Sequence, residues 1–529
     1  MSPARKTDRS VDVIDGALVW PLIALSLPIV LTNVLQVGYN LADTFWVGRL
    51  GQPAVAALSY SWAIVFLVIS LSLGFSIAGT VLVAQNKGAG NLGRVSHVAG
   101  QTLTCVLGAS IIVSLVGVVL TPFLLQLIGA VPGTEEYRLS LVYTRTLFLG
   151  MPFIFGFFIF QSLLQGWGDT RTPFYIMAFG VALNVVIDPF LILGFRDNVL
   201  FAWFGLQGVE ETLYAATGFA GFGVQGAAIA TIIARGVGAA LGMWLLFSGR
   251  VGIELALADL RPEVETIRKI VHIGAPASVE ISTKASSVTI LTALVALAGS
   301  DAVAAYGIGT RITSMVVLPA LGLARGVETV VGQNLGARQV TRAKRGVYVA
   351  AGIIAVCLLV FTAGIYTFAE PVIAVFITGE GAAAVTAIGG DYLRIVGLSY
   401  VFLGVFYVIQ GGFRGSGSTR LAMVFSIIGF IVFRAVLAYT FVVPMDLGAT
   451  GVWLGEATAN VLMVVVAGLY FLRGTWANTV IEDEGGGESS DSGSGSADSG
   501  SPDPSSAGTE PSSAGTDPSS AGSEPEHRS

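Results

Sequence analysis

The chain has 529 residues, of which 53% are apolar and only 12% are charged, and its mean hydropathy is +0.77. These values exclude a water-soluble globular protein. Residues 482–529 contain eleven acidic side chains and one arginine, a charge of −10, which leaves +4 for residues 1–481 when the whole chain has a formal net charge of −6. The acidity therefore belongs to the end of the chain and not to its apolar body.

Twelve mainly apolar stretches follow one another, and each is long enough for the roughly 20 residues that a bilayer core requires. Short segments rich in Gly, Pro and charged residues separate them. The sequence predicts an all-α polytopic membrane protein with twelve transmembrane helices. The predicted spans are residues 17–46, 53–85, 96–122, 138–166, 173–195, 222–248, 266–299, 301–334, 346–370, 388–413, 420–445 and 448–472.

Lysine and arginine are distributed unevenly between alternate connections. Because cytoplasmic connections have the excess, this pattern predicts a multi-pass protein of the cell (plasma) membrane with both termini cytoplasmic, and hence an even number of crossings. The basic residues on the predicted cytoplasmic side are Arg5, Lys6, Arg9, Lys87, Arg94, Arg171, Arg250, Arg261, Arg268, Lys269, Arg338, Arg342, Lys344, Arg345, Arg414, Arg420 and Arg473, and those on the opposite side are Arg49, Arg138, Arg196 and Arg394.

The chain repeats itself at an offset of 248 or 249 residues. Pro28 aligns with Pro276, residues 85–89 (Gln-Asn-Lys-Gly-Ala) align with 333–337, and residues 166–171 align with 415–420. Six helices therefore precede six copies of the same topology, which gives two lobes related by an axis along the membrane normal. A cleft between two such lobes is typical of transporters, and a duplication without a transport role is the alternative.

The internal repeat and the composition of the C-terminal end divide the chain into five predicted regions. The tail from residue 482 contains a seven-residue unit that starts at Asp503, Glu510 and Asp517, and it has too few apolar residues to bury the surface that folding requires. This tail is either a solvating appendage or a regulatory segment. The predicted regions are a cytoplasmic N-terminus (1–16), an N-lobe of six helices (17–248), a cytoplasmic linker (249–265), a C-lobe of six helices (266–472), and a cytoplasmic end with a disordered acidic tail rich in Ser, Gly and Pro (473–529).

Two acids and an amide lie within the predicted helices of the first lobe. An ionisable group at a helix centre costs roughly 2.5–3.5 kcal/mol on insertion scales. Asp43 follows Pro28 by fifteen residues, about 22 Å along the helix, and Asn184 and Asp188 share one helix face at i, i+4. Two close carboxylates in an apolar cavity favour a shared proton or a bound cation. The alternative for Asp43 is a carboxylate solvated at the membrane interface.

Charged residues also occur within the predicted helices of the second lobe. Glu280 and Lys284 are spaced i, i+4, which favours either an internal ion pair or a site for a cation or substrate. Further pairings are predicted between Arg311 or Arg434 and Glu280, and between Arg325 and Glu328.

Enzyme motifs are missing from the membrane body. The sequence has no GxxxxGK phosphate loop, no GxSxG motif in that body, and no metal-binding spacing among its three histidines. We therefore expect no enzyme activity, no cofactor and no nucleic-acid partner, and we expect a monomer in the lipid bilayer. An intramembrane lipid-modifying enzyme is the alternative from another class.

Two six-helix copies, each with a Gln-containing Gly-Ala turn after its second helix and a Gly-x-Gly-[Asp/Ser]-Thr-Arg turn after its fourth, resemble the multidrug and toxic compound extrusion (MATE) transporters. The resemblance covers about residues 15–475. The segments 36–48 and 184–189, which contain Asp43 and Asp188, resemble the DinF branch of that family.

The resemblance implies a V-shaped pair of lobes that alternates between inward and outward openings. Such proteins export amphipathic, often cationic, drug-like organic compounds in exchange for H⁺ or Na⁺. In this chain the implied coupling carboxylates are Asp43 and Asp188, with Na⁺ as one candidate ion at Asp43, Asn184 and Asp188. Further implied residues are Thr231 as an oxygen ligand, Gln36, Tyr39, Asn40 and Gln161 as cavity-lining groups, and Pro28 as a helix bend.

The sequence departs from the NorM branch, which places acids on the seventh and tenth helices. Glu280 corresponds to the acid on the seventh helix, but the position of the acid on the tenth helix falls near Leu403, where this chain has no acid. The repeat also aligns Leu291 with Asp43 and Leu437 with Asp188. The second lobe therefore has no acid at these two positions, which predicts that coupling belongs to the first lobe alone.

Two other interpretations stay open. A lipid-linked oligosaccharide flippase of the same architecture would need a strongly cationic central cavity, whereas the basic residues here lie mostly in predicted loops. The external segment 196–222 is rich in aromatic residues, which is typical of an interfacial flap, although a solvated loop is equally consistent with its composition.

Overall fold

The structure is a computed structural model that describes residues 9–379, 381–477 and 479–481. Within these residues it is helical, with ten helices long and apolar enough to cross a membrane and two bent helix pairs that each supply one further span. The prediction of twelve spans in two lobes is confirmed. The predicted tail from residue 482 lies outside the described residues.

The first lobe contains six spans, of which the fourth consists of α4 and α5. Two short helices, α7 and α8, follow the fifth span. The helices are α1 (Val19–Gly48), α2 (Gln52–Gly88), α3 (Leu92–Leu127), α4 (Glu135–Leu149), α5 (Met151–Trp167), α6 (Arg171–Leu193), α7 (Val199–Trp203), α8 (Gln207–Thr217) and α9 (Val224–Phe247).

The second lobe repeats this order after a short 3₁₀ helix at Leu257–Leu260. Its tenth span consists of α14 and α15, and its eleventh contains a π-helix, Ile427–Phe433, between α16 and α17. The helices are α10 (Val264–Ala296), α11 (Ser300–Gly336), α12 (Val340–Thr367), α13 (Ala369–Ala374), α14 (Ala382–Gly397), α15 (Tyr400–Gly415), α16 (Thr419–Ser426), α17 (Arg434–Val442) and α18 (Gly448–Arg473).

Two of the twelve spans are sharply bent. The fourth bends by 52° between α4 and α5, and the tenth bends by 50° between α14 and α15. Pro152 follows the first bend and has no N–H for the helix ladder. At the second bend the Ser399 hydroxyl donates to the Val396 carbonyl at 2.6 Å, and such side-chain bonds compete with the helix ladder.

The segment between the fifth and sixth spans packs onto the first lobe. Asn198 donates to the carbonyls of Pro189 (3.0 Å) and Gly194 (2.7 Å), and the Trp203 ring lies 5.8 Å from that of Trp46. Trp203 also keeps 54% of its surface exposed. These contacts favour the aromatic flap over a solvated loop.

The repeated turn motifs meet each other where the two lobes join. We call the face at which α1 begins the proximal face and the opposite one the distal face. The Gln85 amide donates to the Gly415 carbonyl at 3.2 Å, and the Gln333 amide donates to the Gly166 carbonyl at 2.9 Å. Because both partners are repeat pairs, this arrangement, which we call the proximal seal, has approximate twofold symmetry.

Two glycines permit the close approach of the backbones in the proximal seal. A Cβ atom at Gly88 would lie 1.9 Å from the Gln333 carbonyl oxygen, and one at Gly336 would lie 2.0 Å from the Gln85 carbonyl oxygen. Any side chain there would push the lobes apart. The Gly in each repeated Gln-Asn-x-Gly-Ala motif is therefore required by the contact between the lobes.

Contacts between the lobes continue to the middle of the spans. The hydroxyls of Ser70 and Ser282 lie 2.7 Å apart, and the Ser278 hydroxyl donates to the Leu71 carbonyl at 3.2 Å. Gly322 of α11 packs on Val30 of α1. In the part of the chain that the structure describes, the hydrogen bonds between the lobes lie between the proximal face and the middle of the spans, as expected for a conformer that opens at the distal face.

The connection between the lobes is docked on α3. Gln101 donates to the Asp259 carbonyl at 2.8 Å and accepts the Glu263 N–H at 2.8 Å. Hydrogen bonds from the Thr266 hydroxyl and the His97 ring lower the pKa of the Glu263 carboxyl below its usual range. The ionised carboxyl therefore stabilises this docking, and the stabilisation is lost as the pH falls through that lowered pKa.

Candidate functional site

The structure brings the predicted acids of the first lobe together in its distal half. Asp43 on α1 and Asp188 on α6 are both buried, and they are close enough for their charges to repel. The Asn184 amide donates to Asp188 Oδ1 at 2.9 Å. Asp43 Oδ1, Asn184 Oδ1 and Asp188 Oδ2 are buried without a hydrogen-bond partner. Three such oxygens match the needs of a proton or a hard cation.

Predicted polar residues connect α1 to α9. The hydroxyls of Tyr39 and Thr231 lie 2.5 Å apart, and the Gln36 amide donates to Asn40 Oδ1 at 3.0 Å. The Arg235 guanidinium donates to Gln36 Oε1. Tyr39, Thr231, Gln36 and Asn40 therefore belong to one network beside the acids.

A further member of this network, Arg235, was not among the predicted site residues. It is buried, one helical turn beyond Thr231, and its guanidinium lies 5.4 Å from the centre of the Tyr39 ring and 4.9 Å from that of Phe157. The i, i+4 spacing from Thr231 is the signal that could have identified it. With Arg235 and two ionised acids, the first-lobe site has a net charge of −1, which one proton or one monovalent cation neutralises.

Two predicted residues lie outside this set. Pro28 interrupts the hydrogen-bond ladder of α1 without ending the helix, and its carbonyl accepts the Thr32 hydroxyl at 2.8 Å. Gln161 lies half-buried on α5, and among the described residues no hydrogen bond joins it to Asp43 or Asp188.

The second lobe contains a chain of buried charges near the proximal end. Glu280 binds Lys284 at 3.2 Å, as predicted, and also binds Arg414 at 2.7 Å. Arg414 reaches Glu328 at 2.6 Å, and Glu328 binds Arg325 at 3.2 Å, also as predicted. The assignment of Arg414 to a cytoplasmic loop was wrong, because α15 continues to Gly415 and its end packs against α11, which buries the Arg414 side chain. The chain of charges has a net charge of +1.

The predicted pairing of Arg434 with Glu280 was also wrong. Arg434 binds Glu456 at 3.3 Å, and both side chains are buried. Arg311 is exposed on α11 and forms no ion pair with Glu280 among the described residues. Sequence reasoning missed Glu456 because it lies within an otherwise apolar span, although an acid in such a span is itself a signal.

The family model MatE matches residues 28–190 and 276–440, one match in each lobe. The chain belongs to this family of multidrug and toxic compound extrusion transporters. The chain is 29% identical over 458 residues to the probable multidrug resistance protein YoeA of Bacillus subtilis, and the match covers 85% of this chain and 93% of YoeA. It is 26% identical over 361 residues to a protein named FAD transporter of Shewanella oneidensis, which covers 68% of this chain and 74% of that protein.

The MatE fold agrees with solved structures. One, described as the outward-facing conformation of a multidrug resistance MATE family transporter, has a TM-score of 0.79 and 25% identity, and covers 89% of this chain and 99% of that one. Because members of the family are transporters, the interpretation as an intramembrane enzyme is discarded. The DinF-like branch stays a prediction.

Proposed function

We propose that this MatE protein exports amphipathic, often cationic, organic compounds in exchange for H⁺ or Na⁺ by alternating access. The observation that carries the proposal is the group of three buried, unpartnered oxygens on Asp43, Asn184 and Asp188. Buried polar atoms without partners are rare in native structures, and these three lie on two contacting helices of the first lobe, two of them on carboxylates. The proximal face is the cytoplasmic face in this proposal, and the membrane is the plasma membrane.

The proposed cycle follows from the charge of the first-lobe site. While Asp43 and Asp188 are ionised, the site attracts a cationic compound. A proton or Na⁺ that enters from the distal side neutralises the site, weakens its attraction for the compound and allows the lobe to repack. The ion can shift the equilibrium only by its different affinity for the two conformers, and the proximal seal must open in the other half of the cycle.

Dye efflux from proteoliposomes tests this proposal. A pH gradient and a Na⁺ gradient are imposed separately, with the membrane potential clamped. We expect export of a cationic dye under at least one gradient and none without a gradient. Export that proceeds equally well without either gradient would contradict ion coupling.

A second substrate class follows from the second lobe. The side chains of Lys284 and Arg325 are 22% and 23% exposed, and they belong to a chain of charges with a net positive charge. Such a surface favours anionic or zwitterionic compounds, and a relative is named FAD transporter. A lipid-linked oligosaccharide is an anionic substrate of this class, so the flippase function also stays a candidate.

Competition separates these substrate classes. Flavin adenine dinucleotide, a cationic dye and a fluorescent lipid pyrophosphate are offered to the same proteoliposomes. Export of only the dye supports the first class. Flavin export that is lost in Lys284→Met, with dye export retained, supports the second, and lipid translocation without any gradient supports the flippase.

The end of the chain provides a further prediction. Residues 475–477 and 479–481, which we call the C-terminal strap, run along the proximal seal. The Val480 N–H donates to Gln85 Oε1 at 2.9 Å, and its side chain packs on Ile77 and Val81 of the first lobe and on Ala277 of the second.

We expect deletion of residues 482–529 to leave transport and thermal stability unchanged. Deletion of residues 478–529 also removes Val480, and we expect it to cost about 1–2 kcal/mol of stability, from one hydrogen bond and partial apolar burial. Thermal unfolding and efflux of both truncations measure the difference. Loss of transport in the shorter deletion would show that the acidic tail has a regulatory role.

A further inference from the structure

The second lobe has its own polar site at the place that corresponds to the first-lobe acids. The two ranges matched by the MatE model start 248 residues apart and end 250 apart, and the π-helix of the eleventh span accommodates an extra residue. At an offset of 250, Arg434 takes the position of Asn184, and Ala438, rather than the predicted Leu437, takes that of Asp188.

The twelfth span supplies the other half of this site. Gly226 on the sixth span packs on Leu191, and Gly451 on the twelfth span packs on Phe441. Because Phe441 lies 250 residues after Leu191, the two glycines occupy equivalent positions. Counting five residues from each glycine places Glu456 at the position of Thr231, and counting nine places Asn460 at that of Arg235. The second lobe thus has the base on its eleventh span and the acid on its twelfth, whereas the first lobe has its acid on the fifth span and its base on the sixth.

The Arg434–Glu456 pair is not fully satisfied. Nη1 of Arg434 lies 3.3 Å from Oε1 of Glu456, while Arg434 Nε and Glu456 Oε2 are buried without a hydrogen-bond partner. The two residues are 6% and 3% exposed. An unmatched acceptor on a buried carboxylate leaves one oxygen available for a proton.

A hydrogen-bond chain joins this pair to the bend of the tenth span. Arg434 Nη2 donates to Asn460 Oδ1 at 2.9 Å, and Asn460 Nδ2 donates to the Ser399 hydroxyl at 2.8 Å. Ser399 in turn donates to the Val396 carbonyl at the 50° bend. Arg434, Asn460 and Ser399 therefore connect the Glu456 carboxylate to the bend of the tenth span.

Hydroxyl groups offer a route for the proton. Thr313 Oγ1 lies 3.1 Å from the Tyr392 hydroxyl and 2.7 Å from the Tyr400 hydroxyl, and both tyrosines are close enough to Glu456 to sense its charge. The charged and titratable groups that face or adjoin the pair from the elements packed around it are Tyr306 on α11, Tyr392 on α14, Tyr400 and Tyr407 on α15, and Glu280 and Lys284 on α10, the last two being paired with each other.

We propose that Glu456 is a second protonation site, in the second lobe, and that its protonation releases Arg434 and shifts the bend at Ser399. The proton adds to Oε2, so the site changes from neutral to a charge of +1 that Arg434 holds. This inference goes beyond the proposed function, in which only the first lobe binds the coupling ion.

Difference infrared spectroscopy of the purified full-length protein, between acid and neutral pH, tests the protonation. Asp43→Asn/Asp188→Asn is the background, so that the first-lobe acids contribute no signal. We expect a band of a buried protonated carboxyl that disappears in Glu456→Gln and stays in Glu370→Gln, which replaces an exposed acid of the same lobe. A spectrum without the band, or a band that survives Glu456→Gln, overturns the proposal.

Two further variants keep the test valid if Glu456→Gln folds poorly. Glu456→Gln/Arg434→Met removes both charges together, a replacement that is often neutral for stability, and it should lack the band. Arg434→Gln keeps the acid without its counter-charge and should enlarge the protonated fraction at a given pH. The infrared experiment uses no gradient and no substrate. Its result therefore does not depend on whether the protein exports compounds by ion coupling, and the two proposals can fail separately.

Spin labels test the link to the bend. Cysteines replace the exposed residues Ala384 and Phe402 on either side of it, in a background without Cys105 and Cys357. We expect the distance between the labels to change with pH in the parent protein and to stay constant in Glu456→Gln/Arg434→Met. An equal pH response in both overturns the link.

Discussion

Asp43→Asn and Asp188→Asn are each expected to reduce gradient-driven export to the level of vesicles without protein. Each change removes a negative charge that the coupling ion would neutralise, and it leaves a side chain of nearly the same shape. Both acids are buried with an unpartnered oxygen, so neutralisation relieves a desolvation cost rather than creating one. The variants should therefore fold, with unfolding midpoints no lower than that of the parent protein.

Efflux in proteoliposomes and thermal unfolding of the same preparations measure this prediction. Glu370→Gln is the matched control because it removes an exposed acid whose ion pair with Arg394 is itself partly exposed. If folded Glu280→Gln stops export while Asp43→Asn continues to export, the coupling site belongs to the second lobe and the assignment is wrong.

Arg414→Met is expected to cause the largest loss of stability. Arg414 binds Glu280 at 2.7 Å and Glu328 at 2.6 Å, and both glutamates are fully buried. Its removal leaves two buried carboxylates with only the partly exposed Lys284 and Arg325 as partners. Breaking a buried pair in this way costs roughly 3–5 kcal/mol.

Two comparisons isolate this effect in thermal unfolding. Arg420→Met removes an exposed arginine at the start of α16, and we expect it to cost less than about 1 kcal/mol. Arg414→Met/Glu280→Gln/Glu328→Gln removes the two orphaned charges together with the arginine, and it should recover most of the lost stability. A single Arg414→Met variant that unfolds like the parent protein would show that the buried charges are compensated elsewhere.

The network around Arg414 also changes the expectation for Glu280→Gln. This substitution frees Arg414 and Lys284 from their shared carboxylate, so we expect lower stability but retained coupling in the fraction that folds. Transport must therefore be compared per folded molecule.

The sequence singled out the buried polar residues of the first lobe because the signals for them are local. Asp43 stands alone in an apolar helix, and Asn184 and Asp188 share a face by spacing alone. The site in the second lobe was not predicted, because its acid and base lie on different spans and no spacing along the chain connects Arg434 with Glu456. The one-residue shift that the π-helix introduces also displaced the repeat register at this point.

The sequence by itself determined the all-helical membrane fold, the twelve spans and their division into two copies, because the length of an apolar run and a fixed repeat offset are properties of the chain alone. Only the tertiary structure decided that the fourth and tenth spans bend, that Arg414 turns inward to two glutamates, and that the repeated Gln85 and Gln333 motifs seal the lobes to each other. The physical reason is that each of these features depends on a partner from a distant helix. A buried charge or a bent span is stable only when that partner supplies the opposite charge or the missing hydrogen bond.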